Sequence, residues 1–132
     1  MKLVIDSNRF LAGLLKDSTS RKIINNKRLD FCSPDYLITE INKHRMYLAQ
    51  KTKQTDEQLD VVFYSLLDRI DLIPYEDFKE ELEAAIELLR DVDVKDAPFL
   101  AVGMAVGAVG IWTEDKHFHK QNILKVVQCK EI

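Results

Sequence analysis

The feature that most constrains this chain is the alternation of short apolar runs with amphipathic helical patterns. Leu3-Val4-Ile5, Leu29-Asp30-Phe31-Cys32, Gly110-Ile111-Trp112-Thr113 and Leu124-Lys125-Val126-Val127 read as strands, and Leu72-Ile73-Pro74 as a short strand or extended link. Ser7 is placed to cap a helix over 8–15 with Phe10, Leu11 and Leu14 on one face, and Ser18 or Thr19 a second short helix to Asn26. Ser33-Pro34 reads as the start of a helix running toward Gln50. Thr55-x-x-Gln58 fits a capping box, and Leu59, Val62, Phe63, Leu66, Leu67 and Ile70 follow at helical spacing. A further helix is predicted over 77–90, and Asp96-Ala97-Pro98 opens a nearly all-apolar one ending near Gly107. Strands alternating with helices define an α/β class with a small, mostly parallel sheet flanked by helices on both faces. With 132 residues the chain makes one domain spanning 1–132.

Few glycines (4) and prolines (3) argue against a turn-rich β-sandwich. The longest uncharged run, Ala97 to Thr113, falls short of a membrane span and is broken by Pro98 and three glycines. The N-terminal apolar run is too short for a signal peptide. A soluble, cytoplasmic protein without membrane association is expected. Cys32 and Cys129 are far apart and without a CxxC partner, which speaks against a zinc site or a disulfide framework. Net charge is −3, but residues 1–55 carry +6 and residues 56–132 carry −9. Such asymmetry is either a polyanion-facing surface or a set of solvated helix faces.

Parallel α/β topology brings every strand's carboxyl end, and the amino end of every following helix, to one edge of the sheet, where ligands bind. Asp6 ends the first strand, Asp115 lies just past Thr113, Asp93 and Asp96 precede the apolar helix, and Glu40 lies early in the helix after the second strand. Singly, Asp96 reads as a helix cap and Asp6 as a turn residue. Together they form a carboxylate cluster that protons or a cation must compensate, and hard oxygen donors favour Mg²⁺ or Mn²⁺ over zinc.

Val4-Ile5-Asp6-Ser7-Asn8, Ser33 through Ile41, Asp93 through Ala101, and Ile111 through Phe118 together resemble, in order and spacing, the four acidic segments of the PIN-domain family of metal-dependent ribonucleases. The resemblance covers nearly the whole chain. It implies that Asp6, Glu40, Asp96 and Asp115 are the catalytic, metal-holding quartet for one or two Mg²⁺ or Mn²⁺ ions, with Asp93 as an extra acid. Asn8 and Thr113 would orient those carboxylates by hydrogen bonds. His117 stands where many relatives have a further Asp; His117 and His119 read as metal ligands, phosphate donors or loop residues, and His44 as a border residue outside the site.

The leading expectation is an endoribonuclease that hydrolyses RNA phosphodiesters. Arg9, Lys16, Arg21, Lys22, Lys43, Arg45 and Lys116 are the candidates for holding RNA phosphates. Many members of the family are toxins of toxin–antitoxin pairs, which implies an antitoxin partner and a homodimer. The alternative is a nucleic-acid- or protein-binding module of the same fold with weak turnover. A phosphatase-like or receiver-like domain is a third reading, but no lysine sits at a comparable strand end.

Overall fold

The computed structural model describes residues 1–15, 18–90 and 94–132, with Val94 and His117 described by their backbone alone. Five strands, β1 (Lys2–Ile5), β2 (Asp30–Pro34), β3 (Ile70–Ile73), β4 (Gly110–Trp112) and β5 (Lys125–Val127), form one sheet in the order β3-β2-β1-β4-β5. Every pairing in it is parallel. The central strand β1 is covered on both faces, which is why Leu3, Val4 and Ile5 are all fully buried rather than alternating.

The helices are α1 (Ser7–Gly13), α2 (Thr19–Ile24), α3 (Leu37–Lys43), α4 (Arg45–Thr52), α5 (Asp56–Leu67), α6 (Lys79–Leu88) and α7 (Ala97–Val106). The capping box at Thr55 forms: its hydroxyl accepts from Gln58 N at 3.2 Å, and Gln58 Oε1 accepts from Thr55 N at 3.0 Å. Gly107, at φ +68°, ends α7 in the left-handed conformation that glycine adopts at least cost. α7 lies against β1 closely enough that a Cβ on Gly103 would stand 3.0 Å from Val4 Cγ2. None of the described helices is long and apolar enough to cross a membrane.

The structure departs from the sequence reading at several element ends. Asp6, not Ser7, caps α1, its extended backbone letting the carboxylate accept from Arg9 N. Ser33 and Pro34 do not open a helix; they close β2, paired with Leu72 and Ile73 of β3. Proline tolerates this place because the next ladder bond comes from Asp35 N, which donates to Ile73 O at 2.9 Å. The helix expected to run from Ser33 to Gln50 begins instead at Leu37 and breaks at His44 (φ −103°, ψ 5°) into α3 and α4, the latter running on to Thr52. Ile70, the last residue of the predicted α5 stripe, belongs to β3; it is buried in either role, so periodicity alone does not separate them.

Candidate metal centre at the carboxyl edge of the sheet

From β1 the chain moves to β2 on one side, and from β3 it crosses back to β4 on the other. The crevice of such a sheet opens where the direction reverses, at the carboxyl ends of β1 and β4. Ile5 pairs with Trp112, so the next residues on the two strands, Asp6 and Thr113, are neighbours. Thr113 donates its hydroxyl proton to Asp6 Oδ2 across 107 residues of sequence. Thr113 Oγ1 in turn accepts from Asp115 N at 2.9 Å, while Asp6 Oδ1 accepts from Arg9 N at 2.8 Å. Asp6 is only 5% exposed.

Burial pushes the Asp6 carboxyl above its ordinary range. The Thr113 and Arg9 hydrogen bonds and the Arg9 charge pull the other way, and the charge of Asp115 adds to the upward push. Asp6, Thr113 and Asp115 therefore form one electrostatic unit.

Asp96 occupies the cap position of α7, but its carboxylate makes no capping hydrogen bond. α7 packs on both β1 and β2, which brings its amino end to the same edge. Tyr36, just ahead of α3, donates its phenolic proton to Lys95 O at 3.2 Å and lays its ring 5.7 Å from that of Phe99 in α7. Glu40 N donates to Tyr36 O at 3.1 Å, so Glu40 stands one helical turn beyond this tie. Its carboxylate, 32% exposed, pairs with Lys43 at 3.4 Å.

The structure thus brings Asp6, Thr113 and Asp115 into direct contact or charge range, and sets Asp96 and Glu40 on adjoining helices at that edge. Among the described residues, no three His, Cys, Asp or Glu side chains stand close enough to form a ready-made metal cage. The donor chemistry nevertheless fits a hard divalent cation. The candidate donors are all carboxylates, and the buried Asp6, pressed upward by burial and by Asp115, is in the environment a cation relieves. Asp93, Lys16 and the His117 side chain lie outside the described residues. Asn8 is exposed on the first turn of α1, as are His44 and His119 at their own positions.

Several cations selected from the sequence are occupied within the fold. Arg21 donates from Nε to Gly13 O at 2.9 Å and from Nη2 to Leu14 O at 3.1 Å, satisfying carbonyls at the end of α1. Arg45 is clamped between Asp56 and Asp60. Arg9 turns inward to Ser20 and Cys129. Lys22 and Lys116 are exposed. Two residues at the edge had no signal in the sequence. Tyr36 fell inside the helix expected from Ser33 to Gln50, and Glu114 inside the segment Ile111 through Phe118, with no role assigned to either. Glu114 Oε1 in fact accepts from Cys129 N at 2.7 Å, and this bond, ahead of the other influences on it, holds its carboxyl below the usual range.

The sequence matches the PIN domain over residues 4–128. The chain belongs to the PIN-domain family. Among solved structures it is similar to VapBC2 from Rickettsia felis bound to a DNA fragment from its promoter, with a TM-score of 0.68 and 16% identity, covering 97% of this chain and 98% of that one. It is also similar to a toxin–antitoxin complex from Klebsiella pneumoniae, with a TM-score of 0.67 and 17% identity, covering 98% of this chain and 99% of that one. These likenesses show the fold. No curated protein matches the chain.

Proposed function

We propose that this protein is a Mg²⁺- or Mn²⁺-dependent endoribonuclease, with Asp6, Glu40, Asp96 and Asp115 holding the ion or ions. The observation that carries the reading is the Asp6–Thr113–Asp115 unit at the switch point of a PIN-domain sheet. The chemistry an ion supplies there when bound is Lewis-acid polarisation of a phosphodiester and acidification of water. The chain's own residues prepare the place. Arg9 N and Thr113 Oγ1 fix both oxygens of Asp6, so that its charge points at one spot without reorganisation. Thr113 also anchors the Asp115 backbone, which sets the angle at which the second carboxylate enters. The helix dipole of α7 favours negative charge at its amino end, where Asp96 stands.

Among the described residues, exposed Lys22, Lys43 and Lys116 remain candidates for RNA phosphates, and Lys43 would exchange its contact with Glu40 for one with substrate. Both structural neighbours are toxin–antitoxin complexes, which supports a toxin with an antitoxin partner; a cytoplasmic location and a homodimer belong to the proposal on the family resemblance alone. The test is cleavage of mixed single-stranded and structured RNAs with Mn²⁺, Mg²⁺ or EDTA. Cleavage should require the metal and be lost in Asp6→Asn, Asp96→Asn and Asp115→Asn. Cleavage that persists in EDTA refutes the mechanism, and Mn²⁺ binding without cleavage of any RNA favours a non-catalytic module of the same fold.

A further inference from the structure

Arg9 follows Asp6 by three residues on the first turn of α1, where an arginine is expected to reach into solvent. Its side chain does the opposite. Nη1 lies 3.5 Å from Ser20 Oγ and 3.5 Å from Cys129 Sγ, and Nε is buried with no hydrogen-bond partner among the described residues. The guanidinium is thus half-buried and held by two long hydrogen bonds to neutral groups, which leave its charge unneutralised by direct contact. Its charge acts on two carboxylates, Asp6 and Glu114. Cys129 ties it to the second of these, since the Cys129 N–H donates to Glu114 Oε1 at 2.7 Å while its sulfur meets Arg9. A continuous path therefore runs from the first turn of α1, through Arg9 and Cys129, to Glu114, the residue just before Asp115.

We propose that Arg9 is a positioning residue for the carboxylate edge: a half-buried counter-charge, seated against Cys129 within charge range of Asp6 and Glu114, that sets how strongly the edge draws a divalent cation and holds the Thr113–Asp115 segment in register. It acts through Asp6 and Glu114 and does not touch RNA. The proposal rests on the metal-dependent reading above. Its electrostatic consequence has a sign that a merely structural role lacks. A fixed cation beside the carboxylates opposes a second cation, so removing Arg9's charge strengthens metal binding, and removing Glu114's charge weakens it.

The experiment is Mn²⁺ titration by calorimetry at low ionic strength, without RNA, on wild type, Arg9→Met, Arg9→Lys and Glu114→Gln, joined to RNA-cleavage kinetics. Methionine keeps the length of the stem, lysine the charge, and glutamine the acceptor for Cys129 N. Arg9→Met should bind Mn²⁺ about three- to tenfold more tightly, with kcat falling and KM for RNA unchanged. Arg9→Lys should keep the wild-type Mn²⁺ affinity, and Glu114→Gln should bind Mn²⁺ about two- to fivefold more weakly. The proposal is overturned if Arg9→Met leaves Mn²⁺ affinity unchanged or weaker, or raises KM alone, which would make Arg9 a phosphate contact. If Arg9→Met does not fold, Glu114→Gln decides, and unchanged or tighter Mn²⁺ binding overturns the idea. A wild type that neither binds Mn²⁺ nor cleaves RNA removes the metal reading and this inference together; a wild type that does both beside an unaltered Arg9→Met removes this inference alone.

Discussion

Replacing Thr113 by valine isolates the contact that defines the candidate centre. The two side chains have nearly the same shape, so the change removes a hydroxyl and leaves packing intact. Asp6 Oδ2 loses its donor in a position that is 5% exposed, and the Asp115 N–H loses its acceptor. A buried charged acceptor left unsatisfied costs roughly 2–3 kcal/mol, and the half-buried N–H under about 1 kcal/mol because water reaches it. The added apolar burial returns about 1 kcal/mol, for a net loss near 2 kcal/mol. That corresponds to a fall in melting temperature of roughly 6–10 °C for a chain of this size. The loss should shrink toward acid pH, where a protonated Asp6 no longer needs the donor. Cleavage should fall about 10- to 100-fold, as for other groups that orient metal-holding carboxylates. Thr113→Ser keeps the hydroxyl and should retain cleavage while losing only about 1 kcal/mol for the missing methyl. Urea unfolding at pH 7 and pH 4.5, with RNA cleavage in Mn²⁺, supplies the measurements. Wild-type stability and activity in the valine variant, or equal loss of activity in the serine variant, would refute the reasoning.

Three other outcomes are expected. Because burial raises the Asp6 pKa in the folded state, the native protein holds that proton longer than the unfolded chain; in EDTA, stability should fall as pH rises from the ordinary carboxylate range through the folded pKa, and Asp6→Asn should flatten that slope in melts run across pH. Gly103→Ala would drive a Cβ into Leu124 Cδ1 and to 3.0 Å from Val4 Cγ2; overpacking should outweigh the helix-propensity gain by about 1 kcal/mol in urea unfolding, with part of the loss recovered when Leu124→Val is added. The Cys32 thiol is buried and pushed up to about 11, so iodoacetamide at pH 8 should leave it unmodified in the native protein by mass spectrometry, and stability should fall between pH 9 and 11 as the unfolded chain alone loses the proton.

Much of this architecture is written locally. The Thr55–Gln58 box, the α5 stripe as far as Leu67 and the strand that stops at Asp6 depend on residues within a few positions of one another, and each forms as its pattern implies. The carboxylate edge was legible for the same reason, since alternating strands and helices leave a parallel sheet one carboxyl edge to fill. What local spacing could not carry was decided by pairing between distant segments. Ser33-Pro34 has the chemistry of a helix start, yet β3 offers it a ladder, and the strand pairing prevails. Asp6 read as an edge carboxylate and Arg9 as a contact for RNA phosphates. Register between β1 and β4 turns Asp6 into a buried acceptor for Thr113, and the turn after β5 turns Arg9 into a half-buried cation against Cys129. Sequence sets which groups a segment carries and how they repeat. Only the register of a sheet closed over a hundred residues sets which of those groups share a dielectric, and so which charges are felt.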